Sequence, residues 1–404
     1  MADIERLLMG TETVLPEGEL AERIAEGKPL RVKLGMDPTA PQVTLGWAVV
    51  LRKLRHFQEQ GHTAVLIVGD FTAQVGDPSQ RSETRQRLSA AEVRGHAEKV
   101  LDGFRRVLLP DPLEIRYNSE WLGELSMSDV LELMSKSTLA QMLEREDFQK
   151  RYRANEPISM MEFMYPLLQG MDSVAIDADI ELGGSDQLWN LLVGRDLMGK
   201  FDKRPQMVMT VPLLVGTDGV HKMSQSLGNY IGVDDEPAEM FGKIMSIPDE
   251  AMGEYYRLTT ELPLDEVEGV LAGLEDGSVH PGDAKRRLGR EVVALFYDAG
   301  AATDAEAAFD RIFKDKDAPD EVAEFALDDE NDPVWLPGLL KGTGLVSSTS
   351  EGKRMIAQGA VKLDGERVEE EHVARADLSG RVVQVGKRRF VKLLLAGDVP
   401  PPVS

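Results

Sequence analysis

The sequence predicts an α/β protein: a Rossmann-like, doubly wound parallel sheet, then an α-helical domain, then a small α+β module. Three observations predict this fold class. Between residues 31 and 222, short apolar runs alternate with longer helical patterns, as in parallel sheets covered by helices. Between residues 231 and 313 the strand patterns stop. After residue 334 short strands return behind one further helical pattern.

The elements of the first domain follow in order. Helices over 4–8 and 17–26 form an N-terminal arm, and apolar residues at helical spacing predict further helices over 48–60 and 90–107. The predicted strands cover residues 31–35, 64–69, 113–117, 179–182 and 207–215. Such sheets bind ligands outside the carboxyl ends of their strands, so we expect the site there.

The remaining elements belong to two further domains. Helices, several of them opened by Asp or Pro, are predicted over 237–245, 249–258, 264–274 and 284–297. An acidic linker is predicted over 314–331. The last module combines a helix over 350–358 with strands over 361–363, 382–385 and 389–394. These patterns divide the chain into residues 1–230, 231–330 and 331–404.

Composition excludes several classes of function. The chain has no cysteine, which excludes disulfides, thiol nucleophiles and cysteine-bound zinc and suits a cytoplasmic protein. No secretory signal is apparent, and no run of about 18 apolar residues predicts a membrane span. The net charge of −24 argues against a general affinity for nucleic acid but leaves room for a local basic patch.

One stretch, residues 34–47, organises the predicted site. It leaves the first strand, turns through Asp37-Pro38-Thr39 and enters a helix near Leu45. Free backbone N–H groups and the helix dipole make such a turn a binding place for phosphates. Three later stretches fit the same site: Gly76-Asp77-Pro78-Ser79, Gly183-Gly184-Ser185-Asp186-Gln187 and Lys222-Met223-Ser224-Gln225-Ser226.

This ordered set of motifs resembles the class I aminoacyl-tRNA synthetases, and the residues within the motifs are similar to those of the tyrosyl-tRNA synthetase family. Two family signatures are altered. His-x-Gly-His appears as Thr44-Leu45-Gly46-Trp47, and Lys-Met-Ser-Lys-Ser appears as Lys222-Met223-Ser224-Gln225-Ser226. The resemblance implies an ATP-dependent ligase that forms tyrosyl-adenylate and transfers tyrosine to tRNA(Tyr).

One predicted helix carries a polar face, which either contacts a ligand or, as is commoner for such a pattern alone, is a polar stripe at the surface. Tyr165, Gln169 and Asp172 stand at i, i+4 and i+7, which share a helix face. By the resemblance, Tyr165, Gln169 and Asp77 hold the α-amino group of tyrosine, and Asp172 accepts the phenol hydrogen bond. The same resemblance places Gln187 beside the carboxylate and Leu34 in the pocket wall. Met171 stands where the family usually has Tyr, so a close tyrosine analogue is also a conceivable substrate.

The nucleotide site is implied by the same resemblance. ATP would be the co-substrate, with Mg²⁺ and without a protein-ligated metal, because the histidines show no ligand spacing near paired carboxylates. Asp37, Thr39 and Gly46 would line the cleft, Gly184 and Asp186 would meet the ribose, and Arg81 and Arg85 would reach pyrophosphate. Lys222 and Met223 belong to the second signature.

The altered signatures predict impaired adenylation. Thr44, Trp47 and Gln225 replace three of the four family side chains that donate to the ATP phosphates, and the loss of one such donor typically costs about 2.7–4 kcal/mol of barrier. The leading interpretation is a ligase with weakened activation. The alternative is a paralogue that no longer activates tyrosine and binds tyrosine, an analogue or tRNA in another role.

The C-terminal module carries a basic cluster. Residues 348–356 and 385–390 resemble the S4 RNA-binding domain. The resemblance implies that this cluster faces tRNA phosphates, and that the protein is a homodimer with no membrane partner. The residues of the cluster are Lys353, Arg354, Lys387, Arg388 and Arg389.

Overall fold

The structure is a computed structural model that describes residues 4–77, 90–313, 324–327, 332–386 and 389–395. The chain divides into two compact units, Met1–Glu236 with Lys243–Asp298, and Pro237–Gly242 with Ala299–Ser404. The three sequence-derived domains (1–230, 231–330 and 331–404) therefore stay a prediction beside these two units. In the described ranges, no helix is both long and apolar enough to cross a membrane.

A six-stranded sheet forms the centre of the first unit, in the order β1-β6-β5-β2-β3-β4. All neighbouring strands are parallel except β1 and β6. The strands are β1 (Thr13–Leu15), β2 (Arg31–Met36), β3 (Thr63–Val68), β4 (Leu113–Tyr117), β5 (Ile180–Gly184) and β6 (Met207–Val211). The chain winds from β2 to β4 on one side and returns to β5 beside β2, which places a topological switch point between β5 and β2.

Helices cover the sheet because the central strands are apolar on both faces. In β3 the last five of six residues are buried, so the strand needs cover above and below. The helices up to β6 are α1 (Ile4–Leu8), α2 (Glu19–Ala25), α3 (Leu45–Glu59), α4 (Thr72–Val75), α5 (Ala90–Arg105), α6 (Ser119–Leu122), α7 (Met127–Ser135), α8 (Leu139–Met142), α9 (Glu146–Arg153), α10 (Met160–Ile176) and α11 (Leu188–Lys200).

The second half of the first unit is helical, as predicted. Its helices are α13 (Met252–Thr259), α14 (Leu264–Asp276) and α15 (Pro281–Phe296), while α12 (Pro237–Met245) spans the boundary between the units. The helix predicted over 284–297 begins three residues earlier, because Pro281 occupies the first turn and the His280 side chain accepts from Gly282 N.

Two further expectations for the first unit need correction, and one short strand was missed. The strand predicted over 207–215 ends at Val211, and Val215 makes only an isolated bridge with Lys222. The helix predicted over 90–107 ends at Arg105. The short strand β1 was not predicted; its three half-buried residues pair antiparallel with β6 and give too short a pattern to recognise.

The second unit contains α16 (Ala299–Phe313) and a five-stranded sheet in the order β10-β9-β12-β13-β7. Its remaining elements are β7 (Glu324–Leu327), β8 (Val334–Trp335), α17 (Leu336–Gly342), α18 (Thr349–Ala357), β9 (Val361–Leu363), β10 (Glu366–Arg367), β11 (His372–Val373), β12 (Val382–Val385) and β13 (Arg389–Leu395). Strand β7 lies inside the predicted linker and pairs parallel with β13. Only four residues long and flanked by acidic residues, it carries no strand signal of its own.

Candidate active site

The predicted site residues of the first unit gather at the carboxyl ends of the parallel strands. Asp37 directly follows β2, the segment from Gly69 to Thr72 follows β3, Asn118 follows β4, and Gly184 closes β5. Helix α10 contributes Tyr165, Gln169 and Asp172 along one face. This is the edge at which the sequence predicted a ligand.

Asp37 connects the first motif to the amino-acid pocket. Its Oδ1 accepts from Thr72 Oγ1 at 2.7 Å, and its Oδ2 accepts from the Tyr165 hydroxyl at 3.0 Å. Gly69 makes this approach possible, because a Cβ there would lie 2.0 Å from Asp37 Oδ1 and 2.4 Å from Thr72 Oγ1. Burial and the carboxylates of Asp37 and Asp77 hold the pKa of Tyr165 well above its usual range, so its hydroxyl stays protonated.

Asp172 is buried, with 3% of its surface exposed. Its Oδ1 accepts from Trp121 Nε1 at 2.9 Å and its Oδ2 from Asn118 Nδ2 at 3.4 Å. Burial raises the pKa of Asp172 to about 7, against the opposing effects of the Lys33 charge and of these two hydrogen bonds. A carboxylate oxygen has room for more than one donor, so this group can take a ligand hydroxyl as well.

Gln169 is anchored from below by a buried ion pair. Its Nε2 donates to Glu181 Oε1 at 3.2 Å, and the same oxygen lies 2.8 Å from Lys33 Nζ. Lys33 and Glu181 stand on the neighbouring strands β2 and β5 and are both inaccessible to solvent.

Asp77 and Gln187 contact each other, as the resemblance implied for two residues of one pocket. Gln187 Nε2 donates to Asp77 Oδ2 at 2.9 Å. Gln187 Oε1 in turn accepts from Asn190 Nδ2 at 3.0 Å, and Asn190 Oδ1 accepts from Arg145 Nη1 at 3.2 Å. The orientation of the Gln187 amide is therefore fixed by a chain of side chains from α11 and the start of α9.

The second signature forms a loop held by Asn229. Its Oδ1 accepts from Ser224 N at 2.9 Å, and its Nδ2 donates to Lys222 O at 3.2 Å and to Asp218 Oδ2 at 3.0 Å. Lys222 Nζ lies 2.9 Å from Asp186 Oδ2. The loop thus brings its remaining lysine to the carboxylate that the resemblance assigned to the ribose.

The two signatures touch each other. Gly46 N, at the start of α3, donates to Met223 Sδ at 3.3 Å, and Gln225 Nε2 donates to Gln42 O. Gln225, which replaces a lysine of the family pattern, therefore binds the backbone of the first signature's loop.

Thr44 and Trp47 are packed into the fold. Thr44 is buried as the residue before α3, and its side chain makes no capping bond. The Trp47 ring lies 5.6 Å from the ring of the fully buried Phe104 on α5, at an interplanar angle of 46°. The indole is thus a half-buried packing residue on the α5 side of the helix start.

Several other predicted site residues make few contacts of their own. Leu34 is buried in β2, and Thr39 is half-buried in the turn after it. The absence of a side chain at Gly184 lets Leu213 and Asp186 approach, because a Cβ there would lie 2.7 and 2.8 Å from them. Arg81 and Arg85 lie outside the described residues. Within the ranges that the structure covers, no group of three or more His, Asp or Glu could hold a metal ion.

The predicted RNA-binding residues belong to the second unit. Lys353 is exposed, forms a 2.8 Å ion pair with Glu371 and lies over the Trp335 ring. Arg354 is exposed on the same helix, and Arg389 donates to Leu345 O. Lys387 and Arg388 lie outside the described residues.

Residues missed by the sequence argument surround Asp172 and Gln169: Asn118, Trp121, Thr72, Lys33 and Glu181. Asn118 and Thr72 could have been found, since each lies just beyond the carboxyl end of a predicted strand. Lys33 and Glu181 carry no such signal, because a charged residue within a buried strand says nothing about its partner.

Comparisons with known proteins agree with this architecture. The model of the family "tRNA synthetases class I (W and Y)" matches residues 25–314, and the S4 domain matches residues 334–374. The sheet, its switch point and its paired signatures therefore define a class I aminoacyl-tRNA synthetase.

Relatives narrow the assignment. The chain is 49% identical to a tyrosine–tRNA ligase of Moorella thermoacetica, across 96% of this chain and 94% of the relative. It is 48% identical to that of Geobacter sulfurreducens, across 98% of both. The chain belongs to the tyrosyl-tRNA synthetase family of class I, with a C-terminal S4 domain.

Solved structures share the fold. A tyrosyl-tRNA synthetase of Archaeoglobus fulgidus, complexed with L-tyrosine, matches with a TM-score of 0.61 at 23% identity, covering 74% of this chain and 99% of that chain. A truncated mitochondrial tyrosyl-tRNA synthetase of Aspergillus nidulans also matches with a TM-score of 0.61, at 21% identity, covering 77% and 93%.

Proposed function

We propose that the protein is a tyrosine–tRNA ligase that converts ATP and L-tyrosine to tyrosyl-adenylate and pyrophosphate and then transfers tyrosine to tRNA(Tyr). The observation that carries the substrate assignment is the buried carboxylate of Asp172, held by Trp121 and Asn118 with acceptor capacity to spare. A phenol supplies the donor that this site lacks. Phenylalanine would leave the remaining acceptor capacity of this carboxylate without a donor. Tyrosyl-tRNA synthetases are the standard example of this discrimination and reject phenylalanine by a factor on the order of 10⁵.

The other end of tyrosine would lie among acceptors. Tyr165, Gln169 and Asp77 are proposed to hold the α-ammonium group, and Gln187 to lie beside the carboxylate. The contact of Asp37 with the Tyr165 hydroxyl supports this arrangement, because it fixes the ring of Tyr165 and adds negative charge near a cation. The half-buried Met171 beside Asp172 leaves a close analogue open as a second substrate.

Adenylation needs no nucleophile from the protein, because the tyrosine carboxylate attacks the α-phosphate and pyrophosphate leaves. Catalysis then consists of positioning and of donors aimed at the developing charge. With MgATP as substrate, Asp37, Thr39, Gly46, Gly184, Asp186 and Met223 would line the nucleotide cleft, and Lys222 would be the charged donor that remains. Arg81 and Arg85 are proposed to reach pyrophosphate.

The altered signatures are proposed to slow this step without abolishing it. Trp47 packs against Phe104, and the side-chain amide of Gln225 donates to Gln42 O. We therefore propose that neither side chain donates to the ATP phosphates. Thr44 retains one hydroxyl. Three weakened donors act as a unit, so their effects on the rate do not add.

The test is tyrosine-dependent ATP–pyrophosphate exchange by the pure protein, with tyrosine binding measured by calorimetry beside it. We expect exchange, and a modest increase on changing Thr44→His together with Trp47→His. Tight tyrosine binding with no exchange, restored from near zero by the double change, would instead favour the paralogue that lost activation. Absence of tyrosine binding would contradict the assignment.

A homodimer is proposed from the exposed apolar residues between β4 and β5. Met127, Leu131 and Met134 stand at i, i+4 and i+7 of α7 and expose 74%, 59% and 39% of their surface. An apolar stripe of this kind on a charged protein fits a second copy of the chain. Sedimentation should give a dimer for the wild type and a monomer for Leu131→Glu; a wild-type monomer would contradict this assembly.

The S4 domain is proposed to bind tRNA through Lys353, Arg354, Lys387, Arg388 and Arg389, and the reaction is proposed to take place in the cytoplasm, where translation proceeds. Arg354 supports this most directly, because its side chain is exposed on α18.

A further inference from the structure

The buried ion pair beneath the amino-acid pocket has a role that charge pairing alone does not explain. Lys33 and Glu181 are 0% and 1% exposed, on adjacent strands of the sheet. Removing two charges from water is costly, and a pair of apolar residues of similar size is often no less stable. An ion pair that lies at the floor of a ligand pocket is therefore expected to hold a neighbouring group in position.

Glu181 is surrounded by donors. Its Oε1 accepts from Lys33 Nζ at 2.8 Å and from Gln169 Nε2 at 3.2 Å. Its Oε2 accepts from Ser173 Oγ at 3.2 Å and from Gln206 Nε2. Lys33 Nζ is held in turn by Gln169 O at 2.9 Å and Ser173 Oγ at 2.8 Å. The carboxylate cannot rotate without breaking several of these bonds.

The hydrogen bonds around Glu181 determine which edge of the Gln169 amide faces its carboxylate. An ionised carboxylate only accepts hydrogen bonds, so the edge of the amide that meets Glu181 must be its NH₂ group. The amide oxygen is then directed away from Glu181. Gln169 Oε1 is buried and has no hydrogen-bond partner among the residues that the structure describes. Buried acceptors normally have a donor, and this one is left for a ligand.

We propose that Glu181, neutralised and held by Lys33, is a positioning residue that fixes Gln169 with its carbonyl oxygen toward the α-ammonium group of the amino acid. This rests on the proposed function. The paired Lys33 also cancels the charge of Glu181, so the carboxylate does not compete with the pocket for the ammonium. Without Glu181 the amide can turn and present its NH₂ group to a cation, which repels it.

The test compares three ligands on Glu181→Leu, which removes the acceptor that faces Gln169: L-tyrosine, tyramine, which keeps the ammonium and lacks the carboxylate, and 3-(4-hydroxyphenyl)propionate, which lacks the ammonium. Binding is measured by calorimetry. We expect tyrosine and tyramine to bind about 10-fold to 100-fold more weakly, the worth of one hydrogen bond to a charged group. We expect the propionate to bind as tightly as to the wild type, because nothing in it contacts Gln169.

Glu114→Leu is the matched control. It breaks an ion pair with Arg31 on the same sheet, but one that is part-exposed and away from the pocket. It should leave all three affinities unchanged. If Glu181→Leu fails to fold with Lys33 unpaired, Lys33→Met combined with Glu181→Leu removes both charges and the acceptor, and should give the same ligand-selective loss.

Equal weakening of all three ligands would overturn the proposal, since it would mean that the pocket as a whole had collapsed. Unchanged tyrosine binding in the folded variants would overturn it as well. Both results differ from failure of the proposed function, in which the wild type itself neither binds tyrosine nor exchanges pyrophosphate.

Discussion

Asp172 is the residue on which we propose that substrate choice depends. Its pKa of about 7 means that, near neutral pH, a proton competes with the phenol of tyrosine for the carboxylate. The charged groups that act on it, Lys33 and Glu181, are paired with each other. We therefore expect the ionisation of Asp172 to govern the pH dependence of tyrosine binding.

Tyrosine affinity should rise as the pH rises through 7 and level off above it. The phenol donates to the ionised carboxylate, so below the pKa each pH unit should weaken binding by up to about tenfold. Calorimetry from pH 5.5 to 8.5 measures this, with proton release on binding at low pH. Asp172→Asn should bind weakly with no such pH dependence, and a flat wild-type profile would contradict the assignment.

Trp47 packs against the buried Phe104, and we expect it to contribute to the stability of the fold. Replacing it by His removes the contact with the buried Phe104 and should lower the free energy of unfolding by about 1–3 kcal/mol. Urea denaturation measures the difference. Trp47→Phe keeps an aromatic contact and should lose less. Equal stability of Trp47→His and the wild type would show that the indole does not pack as described.

At this scale the sequence predicted which residues share a helix face better than it predicted the residues that contact them. Helical spacing alone put Tyr165, Gln169 and Asp172 on one face, because they lie on one element. Their partners come from other elements. Trp121 lies 51 residues from Asp172 in the chain. Glu181 lies on β5 and contacts Gln169 on α10. The spacing of residues within one helix carries no information about contacts with residues of other elements.

Among the elements, the turn from β3 to α4 has no room for a side chain at position 69 unless its neighbours move. Gly69→Ala would place a methyl group in contact with Asp37 Oδ1 and Thr72 Oγ1 and displace both. We expect a loss of about 1–3 kcal/mol in stability from overpacking. We also expect tyrosine to bind at least about tenfold more weakly, because Tyr165 loses its bond to Asp37.

Thermal unfolding and calorimetry measure these two effects. Gly95→Ala is the control: Gly95 lies within α5, a Cβ there meets nothing within 4 Å, and the change should stabilise the protein by up to about 1 kcal/mol. Unchanged tyrosine binding by Gly69→Ala would contradict the described packing of Asp37.

The predicted elements were most accurate where a helical period runs for several turns or where a strand shows an apolar or alternating pattern of its own. The helix near Leu45 and the strands over 113–117, 361–363 and 382–385 were predicted with their observed bounds or start. Short elements at sheet edges were missed. β1 and β7 exist because a neighbour supplies their hydrogen bonds, and three or four residues cannot show this in advance.

The whole molecule is acidic, but its C-terminal module is not. Residues 332–395 contain eleven Lys and Arg against eight Asp and Glu in a chain of net charge −24. Repulsion of tRNA by the rest of the chain would leave this module as the attractive surface. We therefore expect substitutions in this module to change tRNA binding without changing adenylation.

Arg354→Ala should weaken tRNA binding and lower the slope of log affinity against log salt by about 1, as for one lost phosphate contact. Aminoacylation should fall at limiting tRNA, while tyrosine-dependent pyrophosphate exchange stays unchanged. Lys341→Ala, an exposed lysine of the same module outside the basic cluster, serves as the control. A loss of exchange in Arg354→Ala would contradict this separation.

The parallel pairing of β7 with β13 has a consequence for how the protein is made. Residue 324 on the first strand pairs with residue 392 on the last, so the ribosome synthesises the whole module between the two partners. At about 5–20 residues per second, β7 waits several seconds with an open edge. The first unit can fold during this interval, whereas the sheet of the second unit closes only after β13 has been synthesised. A chain that stops before β13 would therefore retain the first unit and expose the edge of β7.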